Sequence, residues 1–284
     1  LFFGPYGEYH LEEGWPLKNF YTYNHHPRYL VNQFGLRNRM AILSEAFSHD
    51  RFYQRIHSTY HFTLEILSYT NEHAQEIRDI NKRAENISIQ NIVERAGKIK
   101  KGVRFKMVSG DTLDDFKTYD YISTEGDKSK FIRTGKIVLY DDVAYHAKFQ
   151  ATVESTMPRG YAIPAEFSNI VELLRMHGVS VSQLSKSKSY TGEVFFVDKL
   201  EKAERIFEGH HMSRISGSFR PAQRKFKKGD YVVDLAQPLC NLIFYLLEPQ
   251  SDDGLVTWNF FDSYLEKQGV NNKQVQYPVF KFIQ

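Results

Sequence analysis

The spacing of apolar residues changes along this 284-residue chain, and that change constrains its fold most. Between Phe52 and Leu67, apolar side chains recur every three or four residues, which predicts an amphipathic helix. Farther along they alternate with polar residues instead, which predicts antiparallel strands, in Val103–Val108, Lys136–Tyr140 and Ala147–Val153. Turns are expected between these strands, one of them at Ser109–Asp111. The sequence therefore predicts an α/β protein.

The C-terminal part shows a strand–helix–strand pattern. Gly160–Ile163 predicts a strand, Ala165–Met176 an amphipathic helix, and Val179–Leu184 a second strand after the helix ends at Gly178. This order is typical of a βαβ unit. Two further helices and a last strand are expected at Leu239–Leu247, Phe260–Gln268 and Pro278–Phe282.

We expect three parts along the chain. A polar helix predicted from Glu72 to about Ile87 leads to a boundary near residues 88–95, so the first part is residues 1–90. Residues 91–157 then form a β-rich module, and residues 158–284 form a smaller α/β accessory module. Leu1–Phe3 resembles the end of a strand whose beginning is missing.

Composition and motifs exclude several classes of protein. Lys and Arg total 37 and Asp and Glu total 34, with both signs interspersed, so we expect neither nucleic acid nor an acidic membrane as a partner. No stretch reaches the length of a membrane-spanning helix. The one cysteine, Cys240, excludes a disulfide framework and is expected to be a small buried side chain. Phosphate-binding glycine loops, CxxC pairs and the GxSxG nucleophile motif are absent from the sequence.

Glu45 is the most specific candidate for chemistry. It follows the apolar run Met40–Leu43, which predicts a strand buried on both faces, and ligands bind at the carboxyl ends of strands in open α/β sheets. A carboxylate near a core is costly unless it is paired or holds a metal. The alternative is therefore structural, with Glu45 paired to Arg37 or Arg39 at a sheet edge.

Other polar residues offer less specific patterns. His57 and His61 have the i, i+4 spacing of metal ligands, but no HExxH motif is formed, so we favour two exposed histidines on a helix. Arg28 could bind a carboxylate, and Tyr23 and Tyr29 could donate to a carbonyl or a terminal carboxylate. The alternative for all three is a packed aromatic loop.

Several stretches together resemble one known family. Phe20–Tyr29 and Gly35–Phe47 are similar to the final catalytic segment of zinc carboxypeptidase A-type metallopeptidases, in a bacterial branch with a long C-terminal extension. The extension is matched in Pro158–Glu166, Gly229–Pro238 and Glu248–Phe261. The resemblance implies the C-terminal piece of a carboxypeptidase-like mixed sheet, followed by an antiparallel β module and a smaller α/β module.

The resemblance also implies roles for individual residues. Glu45 corresponds to the general base that takes a proton from zinc-bound water, which attacks the scissile peptide carbonyl. Either Tyr23 or Tyr29 would cap the bound peptide substrate, and Arg28 would help to hold its carboxylate. Family members of this branch are exported proteins, so the resemblance implies a periplasmic or extracellular location.

One departure from the family determines what we expect of the zinc ligands. The family's zinc ligands are an HxxE pair early in the catalytic domain and a later His, all before the final strand. The one HxxE spacing before Glu45 in this chain is His10–Glu13, which lies close to the predicted last strand and not early in a catalytic domain. We therefore expect zinc in a complete protein, with its ligands upstream of Leu1, and no catalytic zinc on this chain alone. The missing N-terminal part or a second chain would cover the truncated sheet.

Two other functions stay open. The chain could be a non-catalytic module that binds peptide or glycan or another protein, which an exposed row of Tyr and Trp away from Glu45 would favour. A small-molecule site at the βαβ unit, around Ile163–Ser185, is the third option, although that unit lacks a glycine-rich phosphate loop.

Overall fold

A computed structural model describes residues 6–46, 50–124 and 127–283. This part of the chain contains six helices: α1 Leu30–Leu36, α2 Phe52–Glu72, α3 Ala74–Arg95, α4 Ser168–Met176, α5 Cys240–Leu247 and α6 Asp262–Lys267. Its strands are β1 Asn19–Tyr21, β2 Lys100–Leu113, β3 Phe116–Thr124, β4 Asp127–Tyr140, β5 Val143–Thr156, β6 Gly160–Ile163, β7 Ser182–Gln183, β8 Lys188–Phe207, β9 His210–Phe226, β10 Tyr231–Asp234, β11 Val275–Gln276 and β12 Phe280–Phe282. The α/β prediction is confirmed, and the strand end expected at Leu1–Phe3 lies outside the described residues.

The chain divides into two compact units, each built from separate stretches of sequence. The first unit comprises Leu1–His25, Ser44–Phe62 and Phe105–Gln150. The second unit comprises His26–Leu43, Thr63–Arg104 and Ala151–Gln284.

The first unit is built from long strands, as the alternating pattern predicted. β1 runs parallel to β5, which lies between β1 and β2, and β3 pairs with β4 as an antiparallel hairpin. The turn expected at Ser109–Asp111 is wrong, because β2 continues through it to Leu113. A Cβ at Gly110 would lie 2.2 Å from the Lys148 side chain, whose Nζ donates to the Gly110 carbonyl at 3.0 Å. This glycine therefore permits a close approach between strands and does not mark a turn.

The second unit contains a seven-stranded sheet that follows the order β11-β8-β12-β6-β10-β7, with β9 paired to β8. Because β10 is antiparallel to both β6 and β7, these two strands run parallel with β10 between them. The predicted helix of the βαβ pattern is confirmed as α4, which buries Ile170, Val171 and Leu174.

The second strand of that pattern is shorter than predicted. β7 covers only two of the six residues expected in Val179–Leu184. The Val179 N–H donates to the carbonyl of Leu174 at the end of α4, and the Ser180 N–H donates to the Gln237 side chain. These bonds replace strand pairing at the beginning of the segment.

A buried ion pair lies in the core of the second unit. Lys281 Nζ is 3.0 Å from Glu248 Oε1, and both side chains are almost fully buried. The hydroxyls of Tyr161 and Ser155 donate to the two oxygens of Glu248 at 2.6 and 2.5 Å, and Lys281 also donates to Ser155 Oγ. Burial, and then the charge of Glu248, hold the pKa of Tyr161 well above its ordinary value. Cys240 is buried at the beginning of α5, as predicted.

The predicted buried strand Met40–Leu43 is wrong. Residues 39–46 have no regular secondary structure, and the side chains of Met40, Ile42 and Leu43 are 55%, 63% and 45% exposed. A strand needs a neighbouring strand for its backbone hydrogen bonds, and none of the strands described above pairs with this segment. The apolar run therefore has no sheet to pack against in the described part of the chain.

The two long helices agree with the sequence pattern in type. α2 extends to Glu72, where the second helix was predicted to begin, and α3 continues to Arg95, beyond the predicted end near Ile87. Neither these two nor the other helices of the described ranges are long and apolar enough to span a membrane.

Candidate functional site

The predicted site residues are divided between the two units. Tyr23 and Glu45 belong to the first unit, and Arg28 and Tyr29 belong to the second.

Glu45 is an exposed carboxylate in an irregular segment. The arginines that the structural alternative assigned to it have other partners. Arg39 Nη1 lies 2.6 Å from Glu85 Oε1, and Arg37 donates to His177. The Glu45 carboxylate is therefore accessible to solvent, and any proton it accepts would come from water or from a bound ligand.

The two candidate tyrosines differ in exposure. Tyr23 is partly buried, and its ring meets Tyr6 edge to face at 5.5 Å between centroids. Tyr29 is exposed at the beginning of α1, where its carbonyl accepts the Gln33 N–H. Both remain candidates for the tyrosine that caps a substrate.

Arg28 is held by the buried carboxylate of Asp253. Its Nε and Nη2 donate to Asp253 Oδ1 at 2.9 and 2.5 Å, and its backbone N–H donates to Oδ2 at 2.9 Å. The guanidinium lies 4.8 Å from the ring centroid of Phe207 and 4.9 Å from that of Trp258. Trp258 Nε1 also donates to Asp253 Oδ1. This arrangement satisfies the Asp253 charge and anchors the backbone of residue 28.

Two more contacts anchor the segment that follows Arg28. Arg37 donates to the His177 carbonyl at 2.9 Å and to His177 Nδ1 at 2.7 Å. Asn38 Nδ2 donates to the Pro238 carbonyl at 3.0 Å. Residues 28–38 are therefore tied to the strand and helix scaffold of the second unit at three points. The sequence gives no signal for these pairings, because the partners are more than 100 residues apart.

The Arg37–His177 contact requires a neutral histidine, because His177 Nδ1 accepts a hydrogen bond from a cation. Burial, and then the charge of Arg37, lower the pKa of His177 from its ordinary value. The unfolded chain therefore binds a proton at higher pH than the folded chain does. The resulting stability is complete above about pH 6.5 and is lost as the pH falls through the lowered pKa.

We expect acid to destabilise the wild type more than His177→Gln, whose amide oxygen can accept from Arg37 without titrating. Urea unfolding of both proteins at neutral pH and at about pH 5 measures the difference. An equal loss of stability in the two proteins would show that His177 does not contribute.

His57 and His61 are the two histidines with the spacing of metal ligands on a helix. His57 and His61 are both exposed on α2, with ring centroids 6.4 Å apart, as the sequence predicted. Within the described ranges, no set of three His, Cys, Asp or Glu side chains that includes Glu45 lies close enough to share a metal ion. The residues around Glu45 therefore do not by themselves fit a zinc site of three protein ligands.

Comparison with known proteins gives a distant similarity to carboxypeptidases. A stretch of 153 residues is 24% identical to a protein named Carboxypeptidase 2 in Trichophyton tonsurans, and the same values hold for Carboxypeptidase 2 of Trichophyton equinum. The stretch covers 53% of this chain and 27% of each relative, so the chain spans about a quarter of the length of the curated relatives it matches. No protein-family model and no solved structure matches. Both relatives are fungal, so the bacterial branch has no support from them.

Proposed function

We propose that this chain is the C-terminal portion of a zinc-dependent carboxypeptidase-like peptidase and that Glu45 is its general base. The similarity to proteins named Carboxypeptidase 2 supports this proposal most directly. Its second support is the exposure of Glu45, together with the engagement of Arg37 and Arg39 elsewhere. We propose the division into residues 1–90, 91–157 and 158–284 as well, with the chemistry in the first part, and an exported location.

The proposed chemistry of this chain is a proton transfer. The Glu45 carboxylate takes a proton from the attacking water as the water oxygen bonds to the peptide carbonyl carbon. It then returns that proton to the leaving amine when the carbon–nitrogen bond breaks. Tyr23 or Tyr29 would donate a hydrogen bond to the bound peptide.

The anchoring of Arg28 narrows its proposed role. Its Nε and Nη2 are already used by Asp253, which leaves Nη1 for a substrate carboxylate. We propose that Arg28 mainly holds the loop that carries Tyr29.

The metal is proposed for the complete protein and not for this chain alone. Zinc would supply a Lewis acid that makes a bound water more acidic. The residues near Glu45 do not provide a three-ligand set, so we assign the ligands to sequence outside this chain.

The exposed face of α2 supports the proposal that another part of the protein covers it. The helix buries no residue completely and exposes a row of apolar side chains at Phe52, Ile56, Tyr60, Leu64 and Leu67. Monomeric proteins rarely leave such a surface uncovered. We propose that the upstream part of the same protein packs on it. The same row favours the alternative of a non-catalytic interaction module, in which a separate partner would bind there.

The metal content of the purified chain, measured together with release of C-terminal residues from a peptide mixture, tests the proposal. We expect neither stoichiometric zinc nor release from this chain alone, for the wild type and for Glu45→Gln alike. One zinc per chain, with release that Glu45→Gln abolishes, would show that the ligands lie within these 284 residues and that our assignment of them is wrong.

A further inference from the structure

Seven cationic side chains gather at one end of the β8–β9 hairpin. Residues 184–192 and 219–229 contain no Asp or Glu and contribute Lys186, Lys188, Arg220, Arg224, Lys225, Lys227 and Lys228. The formal charge of these two segments is +7 while that of the whole chain is +3, so the remaining residues carry −4. We call these two segments the basic hairpin surface.

The strand register brings the two segments together. Lys188 lies opposite Phe226, and Tyr190 lies opposite Arg224. The Gly229 N–H donates to the Leu184 carbonyl at 2.9 Å, which places the loop containing Lys186 beside the end of β9. The charge is therefore concentrated in space as well as in sequence.

Three of the cations lie against aromatic rings. Lys188 Nζ lies 4.7 Å from the ring centroid of Tyr190, the Arg220 guanidinium 4.2 Å from that of Phe196, and the Arg224 guanidinium 5.0 Å from that of Phe226. Side chains already held against a ring lose less conformational freedom when they bind a ligand.

The cations have no acidic partner in the described part of the chain. None of the seven forms an ion pair there, in contrast to Arg159 and Lys202 of the same unit. Asp230 follows the second segment directly, but its two oxygens accept the N–H groups of Ala165 and Lys227. Glu193 directly follows the first segment, so two flanking carboxylates reduce the positive charge of the surface without cancelling it.

We propose that the basic hairpin surface binds an acidic peptide segment in an extended conformation. The register places Lys188, Arg224 and Arg220 on one face of the hairpin and Lys225 on the other. Side chains on one face of a strand recur about every 7 Å, and acidic side chains on one face of an extended peptide have the same spacing, so such a peptide matches the face that carries Lys188, Arg220 and Arg224. Pro221 lacks an N–H and interrupts the hydrogen-bonding edge of β9, so the peptide would be held by its side chains and not added as a strand. This site goes beyond the proposed peptidase function and does not depend on it.

Two other polyanions fit the surface less well. The rings of Tyr190 and Phe226 are only 5% and 2% exposed, so they provide no stacking platform for nucleic-acid bases. Neither segment exposes a large apolar side chain that could insert into a membrane.

Binding of a fluorescent glutamate-rich peptide to the full chain at low salt tests the proposal. We expect Lys188→Gln/Arg220→Gln/Arg224→Gln to weaken binding about tenfold, and added salt to weaken it further. The matched control is Lys82→Gln/Arg83→Gln/Lys98→Gln, which removes the same charge from exposed positions of the same unit and should change the affinity little. Thermal unfolding checks that both triple variants fold.

The proposal is overturned by an absence of peptide binding or by equal losses in the two triple variants, since equal losses would reflect net charge alone. Tighter binding of single-stranded DNA or of anionic vesicles than of the peptide would also overturn it, because the partner would then belong to another class. An inactive peptidase would leave this result unaffected.

Discussion

Replacing Lys281 with Met is expected to lower the free energy of unfolding by about 3–5 kcal/mol. The ammonium of Lys281 is the charged partner of Glu248, and both side chains are buried in the core of the second unit. Without Lys281, the Glu248 carboxylate keeps the hydroxyls of Tyr161 and Ser155 but loses the charge that compensates its desolvation. The expected loss of stability therefore comes mainly from the buried Glu248 carboxylate, which no longer has a cationic partner.

Urea unfolding of three variants separates this cause from a general packing defect. Adding Glu248→Gln to Lys281→Met removes the unpaired carboxylate charge and should recover much of the lost free energy of unfolding. Lys199→Met breaks an exposed ion pair with Glu201 and should change stability little. A loss for Lys281→Met that the second substitution does not reduce would contradict the account.

Local patterns predicted the elements that depend on neighbours in sequence. The three- and four-residue spacing predicted α2, an amphipathic pattern predicted α4, and the alternation predicted the strands that became β2, β4 and β5. These patterns work because helix and strand periods are determined by the backbone itself.

The segment around Glu45 shows where such reasoning fails. Four successive apolar residues indicate burial, but burial also requires a surface to pack against, and the described residues supply none for Met40–Leu43. The apolar row of α2 is exposed for the same reason. Both observations agree with a chain whose packing partner lies elsewhere.

The sequence also did not predict the long-range pairings or the local concentration of positive charge. Asp253 follows Arg28 by 225 residues, and no spacing rule connects them. The net charge of +3 indicated no strong field, because the acidic remainder of the chain masks the basic hairpin surface. Only the strand register shows that the cations lie together.

The central claim is that Glu45 accepts a proton during peptide hydrolysis. In the longer protein that we propose carries this chain, Glu45→Gln should lower kcat about 100- to 10,000-fold, because an amide cannot take a proton from water. The metal content should stay unchanged, because Glu45 is proposed as the base and not as a ligand. Glu65→Gln is the matched control, since it removes the same charge from an exposed position on α2.

The measurement that tests this claim most directly is the kcat for release of a C-terminal residue by the wild type, Glu45→Gln and Glu65→Gln. The account predicts a loss confined to Glu45→Gln, with bound metal equal in all three proteins. Wild-type turnover by Glu45→Gln would contradict it and would favour the non-catalytic alternative for this part of the protein.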